Sequence, residues 1–394
     1  MAGEGGLFAG TPSRVWTIPP GTDFLRALAE TLAKETGLGA APDALADAII
    51  YVPNRRSARV LARALFDAGG GKAILPPDIR TLGDIEADEA PSADAARSGL
   101  PPAMSAARRL GALTHLVQAF YAKAYAVTPP AASALAAAQE LSRLMEQAAL
   151  SEAVDWDSLP GLAESAELAL HWEQSVRFLG IISQSWPEWL AENGESDPFL
   201  RDIAAARIVA DRWRMEPPEA PVLIAGSTGA TPAGRILMKA AMHLPKGLIV
   251  LPGLDTHADE DARAVIARSA SHPQHILFDT LRDLKVDPVD VAIWPGTDTG
   301  GKAEARRRMI HEALAPAEAT ADWRNTLKQL ARSLDTTVED FAGDALSGLS
   351  VIETPDEAVE AETAALILRG IMEQPDATAA LVTPDATLAR RVSG

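Results

Sequence analysis

The chain has 394 residues, with 36 Lys and Arg against 54 Asp and Glu, a formal net charge of −18, 47% hydrophobic residues and no Cys. This length suits two or three domains, the composition excludes global disorder, and the charge argues against holding nucleic acid by an overall positive field. Without Cys there are no disulfides, thiolate metal sites, iron–sulfur ligands or Cys nucleophiles, and with no signal-like start or membrane-length apolar run a cytoplasmic location is expected.

The first predicted elements alternate. Arg14 to Ile18 reads as a β-branched and aromatic strand ended by Pro19-Pro20-Gly21, and Asp23 precedes a helix-period segment, Phe24 to Lys34. Ala48 to Val52 is an unbroken apolar run suited to a strand buried on both faces, followed by Pro53-Asn54-Arg55-Arg56 and a helix from Ser57 to Ala68. Gly69-Gly70-Gly71 reads as a helix cap and turn, and Ala73 to Pro76 leads into Ile79-Arg80-Thr81-Leu82. Strands and helices in this order predict an α/β fold with a parallel sheet.

Gly83 to Gly99 is a polar, acidic connector, after which helices dominate: Ser105–Ala124, Pro130–Glu146, Ala163–Asn193 and Pro198–Arg214. The stripe Trp172, Val176, Leu179, Ile182, Trp186 and Trp189 reads as helical core packing. The α/β pattern returns with the strand at Val222 to Ala225, a helix over Pro232–His243 and the strand Gly247 to Leu251. A sheet domain interrupted by a helical insertion explains this order. Helices over Ala303–Leu314 and Asp322–Leu334 follow, then a strand at Leu349–Glu353, a helix over Pro355–Met372 and a strand at Ala379–Pro384. Two strands do not support a sheet of their own, so this last unit reads as the start of a second α/β domain in a longer protein.

A phosphate-binding loop needs a Gly-rich turn, a Lys for the terminal phosphates and a hydroxyl for Mg²⁺. Pro19-Pro20-Gly21-Thr22-Asp23 occupies that place with one Gly, no Lys and a carboxylate that repels phosphate. Asp255 and the group Asp259, Glu260 and Asp261 are acidic candidates with little to mark them as a site, and Ser271-His272-Pro273-Gln274-His275 reads as an exposed loop rather than a metal site. Gly226-Ser227-Thr228-Gly229-Ala230-Thr231-Pro232 offers hydroxyls and free N–H groups to a phosphate, and reads equally as a helix cap with Thr231 as cap and Pro232 in the first turn. Two basic clusters, Arg55, Arg56, Arg59 and Arg63, and Lys302, Arg306, Arg307 and Arg308, have the plain reading of solvated helix faces.

In joint order, Val15 to Gly21, Val52 to Arg59, Ile79 to Asp84, Val154-Asp155-Trp156, His171-Trp172 and Phe178-Leu179 resemble the AddB family. So do Ala225 to Pro232, Val250 to Asp255, His272-Pro273-Gln274 and Leu381 to Asp385. AddB is the second subunit of the bacterial AddAB helicase–nuclease of double-strand break repair, and the likeness is to its alphaproteobacterial form. The resemblance implies a superfamily 1 helicase-like, P-loop NTPase fold. Residues 1–99 and 216–300 would form a RecA-like domain, 100–215 its helical insertion, 301–347 a helical connector and 348–394 the start of a second RecA-like domain.

The same resemblance implies a non-motor subunit that engages single-stranded DNA or duplex ends and scaffolds an AddA-type partner in recombinational repair. No catalytic residue, metal or cofactor is expected in this fragment, whose nuclease domain is absent. Gly21 and Thr22 mark the decayed nucleotide loop. Asn54, Arg55, Arg56 and Arg59, with Ser227, Thr228 and Thr231, take the DNA-contacting positions. The alternative is a cytoplasmic α/β enzyme binding an anionic small molecule or nucleotide, with Ser227, Thr228 and Thr231 as its phosphate cradle.

Overall fold

The computed structural model describes residues 7–8, 13–82, 99–150, 166–297, 300–315, 322–375 and 377–393. The expected connector from Gly83 to Gly99 and the motif Val154-Asp155-Trp156 therefore lie almost entirely outside the described residues.

Six strands, β1 (Val15–Ile18), β2 (Ile49–Val52), β3 (Asp78–Thr81), β4 (Val222–Ala225), β5 (Gly247–Pro252) and β6 (Ala292–Ile293), form one sheet in the order β3-β2-β4-β5-β1-β6. Every pairing is parallel; Val15 faces Ile249, Ile50 faces Leu223, and Ile224 faces Ile249. Parallel strands buried on both faces need apolar side chains at successive positions, and Val222 to Ala225 are all fully buried. Alternate residues feed opposite cores, Val222 and Ile224 on one side and Leu223 and Ala225 on the other.

One face is covered by α1 (Phe24–Thr36) and α2 (Arg55–Ala68), which insert Leu28, Leu32, Leu61 and Leu65. Each helix begins where its sequence places a cap: Asp23 accepts from the Arg26 N–H at 3.2 Å and Asn54 from the Ser57 N–H at 2.9 Å. Gly37 closes α1 in the left-handed conformation at φ 67°. The other face carries α7 (Pro198–Met215), α8 (Pro232–Met242), α9 (Glu260–Ile266) and α10 (His275–Leu284), with Trp213, Leu237, Met238, Phe278 and Leu281 in the core.

Between β3 and β4 the chain forms the insertion: α3 (Ala106–Tyr125), α4 (Ala131–Leu150), α5 (Ala166–Gly180) and α6 (Trp186–Asn193), followed by α7. Leu113, Val117, Leu141, Ile182 and Trp186 form its core. The stripe read as core packing behaves so at Ile182 and Trp186, while the Trp172 side chain lies outside those described. The expected continuous helix over Ala163–Asn193 is broken by a π-helical turn, Ile181–Ser185. Pro187 supplies no N–H to the carbonyl four residues back, which opens the ladder there.

Arg109 locks the insertion. Its Nε donates to the fully buried Asp197 at 2.7 Å, and Asp197 also accepts from Trp186 Nε1 at 3.2 Å and caps α7. Because α7 carries Ala206 and Trp213 into the sheet core, this cap ties insertion to sheet.

The C-terminal part contains α11 (Gly301–Leu314), α12 (Trp323–Ser333) and α13 (Val338–Ala345), packed around Phe341, then α14 (Glu357–Met372) and α15 (Ala386–Ser393). The strands expected at Leu349–Glu353 and Ala379–Pro384 do not form; Val351 and Val382 are 84% and 93% exposed. Among the described residues no neighbouring strand offers these segments a hydrogen-bonding edge, and an isolated strand pair has little stability. No helix of the described residues is long and apolar enough to cross a membrane.

Candidate functional site

The loops leaving the C-terminal ends of the strands gather along one edge of the sheet. At the β1 end, Gly21 adopts φ 86° and Asp23 caps α1, its carboxylate accepting from the Arg26 N–H. A helix N-terminus attracts anions through its first N–H groups and the helix dipole, and here the Asp23 carboxylate takes one of them, the Arg26 N–H. Pro19 and Pro20 contribute no N–H, and the Thr22 hydroxyl is buried without a hydrogen-bond partner among the described residues.

At the β2 end, Asn54 serves as the cap of α2, accepting from both the N–H and the hydroxyl of Ser57. Arg55, Arg56 and Arg59 are exposed on the first turns of that helix. Arg63 is committed differently, pairing with Asp67 at 3.1 Å and lying over the Phe66 ring.

The β4 end is the neighbouring loop. Gly226, at φ 78°, lies so close to the two preceding loops that a Cβ there would sit 3.2 Å from Phe24 and 3.5 Å from Pro53. The Ser227 hydroxyl accepts from the Gly229 N–H, the Thr228 carbonyl accepts from the Thr280 hydroxyl, and Thr231 caps α8 by accepting from the Gly234 N–H. Capping is therefore present at Thr231. Each accepting hydroxyl still has its own proton to donate. The structure thus brings Asn54, Arg55 and Arg56 beside Ser227 to Thr231 on adjacent strand ends, while Gly21 and Thr22 lie two strands further along.

A concave part of this edge lies between the ends of β1 and β5, with Pro19, Pro20 and Gly21 of the β1 loop in its lining. The connection after β1 runs to the α1 face and that after β5 to the opposite face, so the two loops diverge and leave a crevice, the usual ligand position in an open α/β sheet. A cavity of about 610 Å³ fills it, roofed by α11. Its floor is fixed by Gln274, whose side chain donates to the Gly253 carbonyl and accepts from the Asp255 N–H, both at 3.0 Å. His272 donates from Nε2 to the Leu314 carbonyl and accepts the Gln274 N–H at Nδ1, which fixes its tautomer.

Two acid–base pairs stand in the wall. Asp255 accepts from His311 Nδ1 at 2.6 Å and from the His257 N–H at 2.9 Å. Burial works against the Asp255 carboxylate, but these partners outweigh it and hold its pKa below the ordinary value. The same hydrogen bond raises the His311 pKa, against partial burial. His257 goes the other way: burial lowers its pKa, despite Glu304 at 3.5 Å and the Asp255 charge. Glu304 also has a lowered pKa, since bonds from Arg308 and Arg307 overcome its desolvation.

Asp255, given little weight from the sequence alone, lines the cavity, as do His272 and Gln274 of the segment read as a loop, which forms a turn. One expectation is corrected. Arg307 does not belong to a solvated face; its side chain is only 11% exposed and bonds Glu304 with Nε and Nη2. The local signal was the spacing Glu304, Arg307, Arg308, His311, which puts all four on one side of a helix. Among the described residues no group of three or more His, Asp or Glu is placed to hold a metal ion.

No family model matches the chain, and no curated protein is significantly similar to it.

Proposed function

We propose that the chain is a non-motor, helicase-like subunit of the AddAB type, a RecA-like sheet domain with a helical insertion, which engages DNA and scaffolds an AddA-type motor in double-strand break repair. The observation that carries this reading is the exposed arginine group at the start of α2, set at the C-terminal edge of the sheet beside the Ser227–Thr231 loop. Guanidinium groups and hydroxyl donors on adjacent strand ends suit the phosphates of a single strand. The loop after β1 supports the non-motor part, since Asp23 and two prolines replace the Lys and backbone donors that triphosphate binding requires.

The test pairs two measurements on the purified chain. Fluorescence anisotropy with a labelled single strand is expected to show binding at low salt, and a coupled assay to show no DNA-stimulated ATP turnover. Steady turnover abolished by substitution at Gly21 or Thr22 overturns the non-motor assignment, and absence of DNA binding by the folded chain overturns the DNA-engaging one.

A further inference from the structure

Two successive carbonyls of the loop after β4 are held from inside the protein. The Thr228 carbonyl accepts from the hydroxyl of Thr280 on α10 at 2.8 Å, and the Gly229 carbonyl accepts from Arg235 Nε on α8 at 2.7 Å. Both holding side chains are themselves fixed. Thr280 is fully buried, and only a glycine lets it approach, since a Cβ at Gly229 would lie 2.4 Å from its hydroxyl oxygen. Arg235 Nη2 pairs with Asp279 at 2.6 Å, and Nη1 stands 4.0 Å from Asp283. The guanidinium charge is therefore answered by carboxylates of α10, and the side chain is only 18% exposed.

A trans peptide carries its N–H opposite its carbonyl, so each hold also aims a donor. With the Gly229 carbonyl turned to Arg235, the Ala230 N–H points away from the seam between α8 and α10, at an exposed residue, and no described residue accepts it. With the Thr228 carbonyl turned to Thr280, the Gly229 N–H goes to Ser227 Oγ at 3.2 Å, which leaves the Ser227 hydroxyl its own proton to donate. If the peptide between Gly229 and Ala230 turned over, a carbonyl oxygen would stand where the N–H now stands and would repel an anion.

We propose that Arg235 and Thr280 are positioning residues for phosphate contact at the end of β4. They touch no phosphate themselves, and they hold the loop so that the Ala230 N–H and the Ser227 hydroxyl both serve one phosphate of a bound single strand. This rests on the reading that this edge of the sheet engages DNA. To that reading it adds a contact made by uncharged donors, beside the charged one made by Arg55 and Arg56.

The test reads single-strand affinity by anisotropy across a salt series, with urea unfolding of each variant as the check on folding. The salt slope counts phosphates met by charged side chains, whereas losing uncharged donors lowers affinity by the same factor at every salt concentration. Thr280→Val keeps the shape of the side chain and removes its donor; Arg235→Met leaves Asp279 paired with Arg282 and Asp283 with Lys239. Each is expected to weaken binding by about tenfold with the native salt slope. Thr280→Ser, which keeps the donor, is expected to bind as the native chain does, and so is Arg282→Met, which removes a charge from the same ion-pair group without touching the loop. A slope smaller by about 0.7 in Arg235→Met overturns the proposal, because the guanidinium then meets a phosphate directly. Equal losses in Thr280→Ser and Thr280→Val overturn it too, since packing and not the donor is then at stake. Native affinity in folded Thr280→Val and Arg235→Met, with binding still weakened in Arg55→Ala/Arg56→Ala, overturns it and leaves the DNA reading standing. Failure of the folded native chain to bind the strand overturns the DNA reading and this proposal together.

Discussion

Replacing Asp255 by Asn keeps the shape of the cavity wall and removes the charge that His311 answers. In the native chain the two side chains are 14% and 17% exposed and 2.6 Å apart, so solvent screens the bond little. A hydrogen bond to a charged partner in such a setting contributes about 1.5–3 kcal/mol. The sign follows from His311, whose folded pKa lies above its unfolded value of 6.5. Its contribution to stability is complete below 6.5 and is lost as pH rises through the folded pKa. Asp255, with a folded pKa below 3.8, stays ionised across this window in both states. Asp255→Asn is therefore expected to cost about 1.5–3 kcal/mol near pH 6 and distinctly less near pH 9. Urea unfolding at the two pH values measures the difference, and NMR titration of His311 is expected to show its pKa falling in the variant. An equal cost at both pH values, with an unchanged His311 titration, would refute the ion-pair reasoning.

Asp197→Ala removes a cap worth about 1 kcal/mol and strips buried Arg109 of its closest carboxylate, a loss of about 3 kcal/mol or more. Hydrogen exchange is expected to accelerate across α3 and α7 before the sheet strands are affected. Gly229→Ala is expected to destabilise the chain by at least about 2 kcal/mol. There φ is 76° and the new Cβ would lie 2.4 Å from the Thr280 hydroxyl oxygen; adding Thr280→Ala should recover the steric part of the cost and leave the backbone part.

The sheet was legible because its signals are local. Asp23 and Thr231 announce the helices they cap, and the apolar runs at β2, β4 and β5 match strands buried on both faces, whereas α2 starts at Arg55 under an Asn54 cap, two residues before the expected Ser57. The helix α10 and the two-residue β6 were not anticipated: His275 to Leu284 follows a segment that reads as loop, and Ala292–Ile293 owes its strand geometry to pairing with Trp16 and Thr17. The unformed strands near Val351 and Val382 show the converse, a β-type composition without an edge to pair with. The cavity was the hardest feature to foresee, because segments around residues 20, 255, 273 and 307 meet only through the order of the strands. Within any one of them, a histidine or arginine looks like ordinary surface.

The salt dependence of single-strand binding, compared between the native chain and Arg55→Ala/Arg56→Ala, tests the central claim most directly. If both arginines contact phosphates, the variant binds more weakly and its log affinity against log salt has a slope smaller by about 1.4, from about 0.7 per phosphate contact on a single strand. Native binding with an unchanged slope and affinity in the double variant would contradict the placement of DNA on the α2 edge of the sheet.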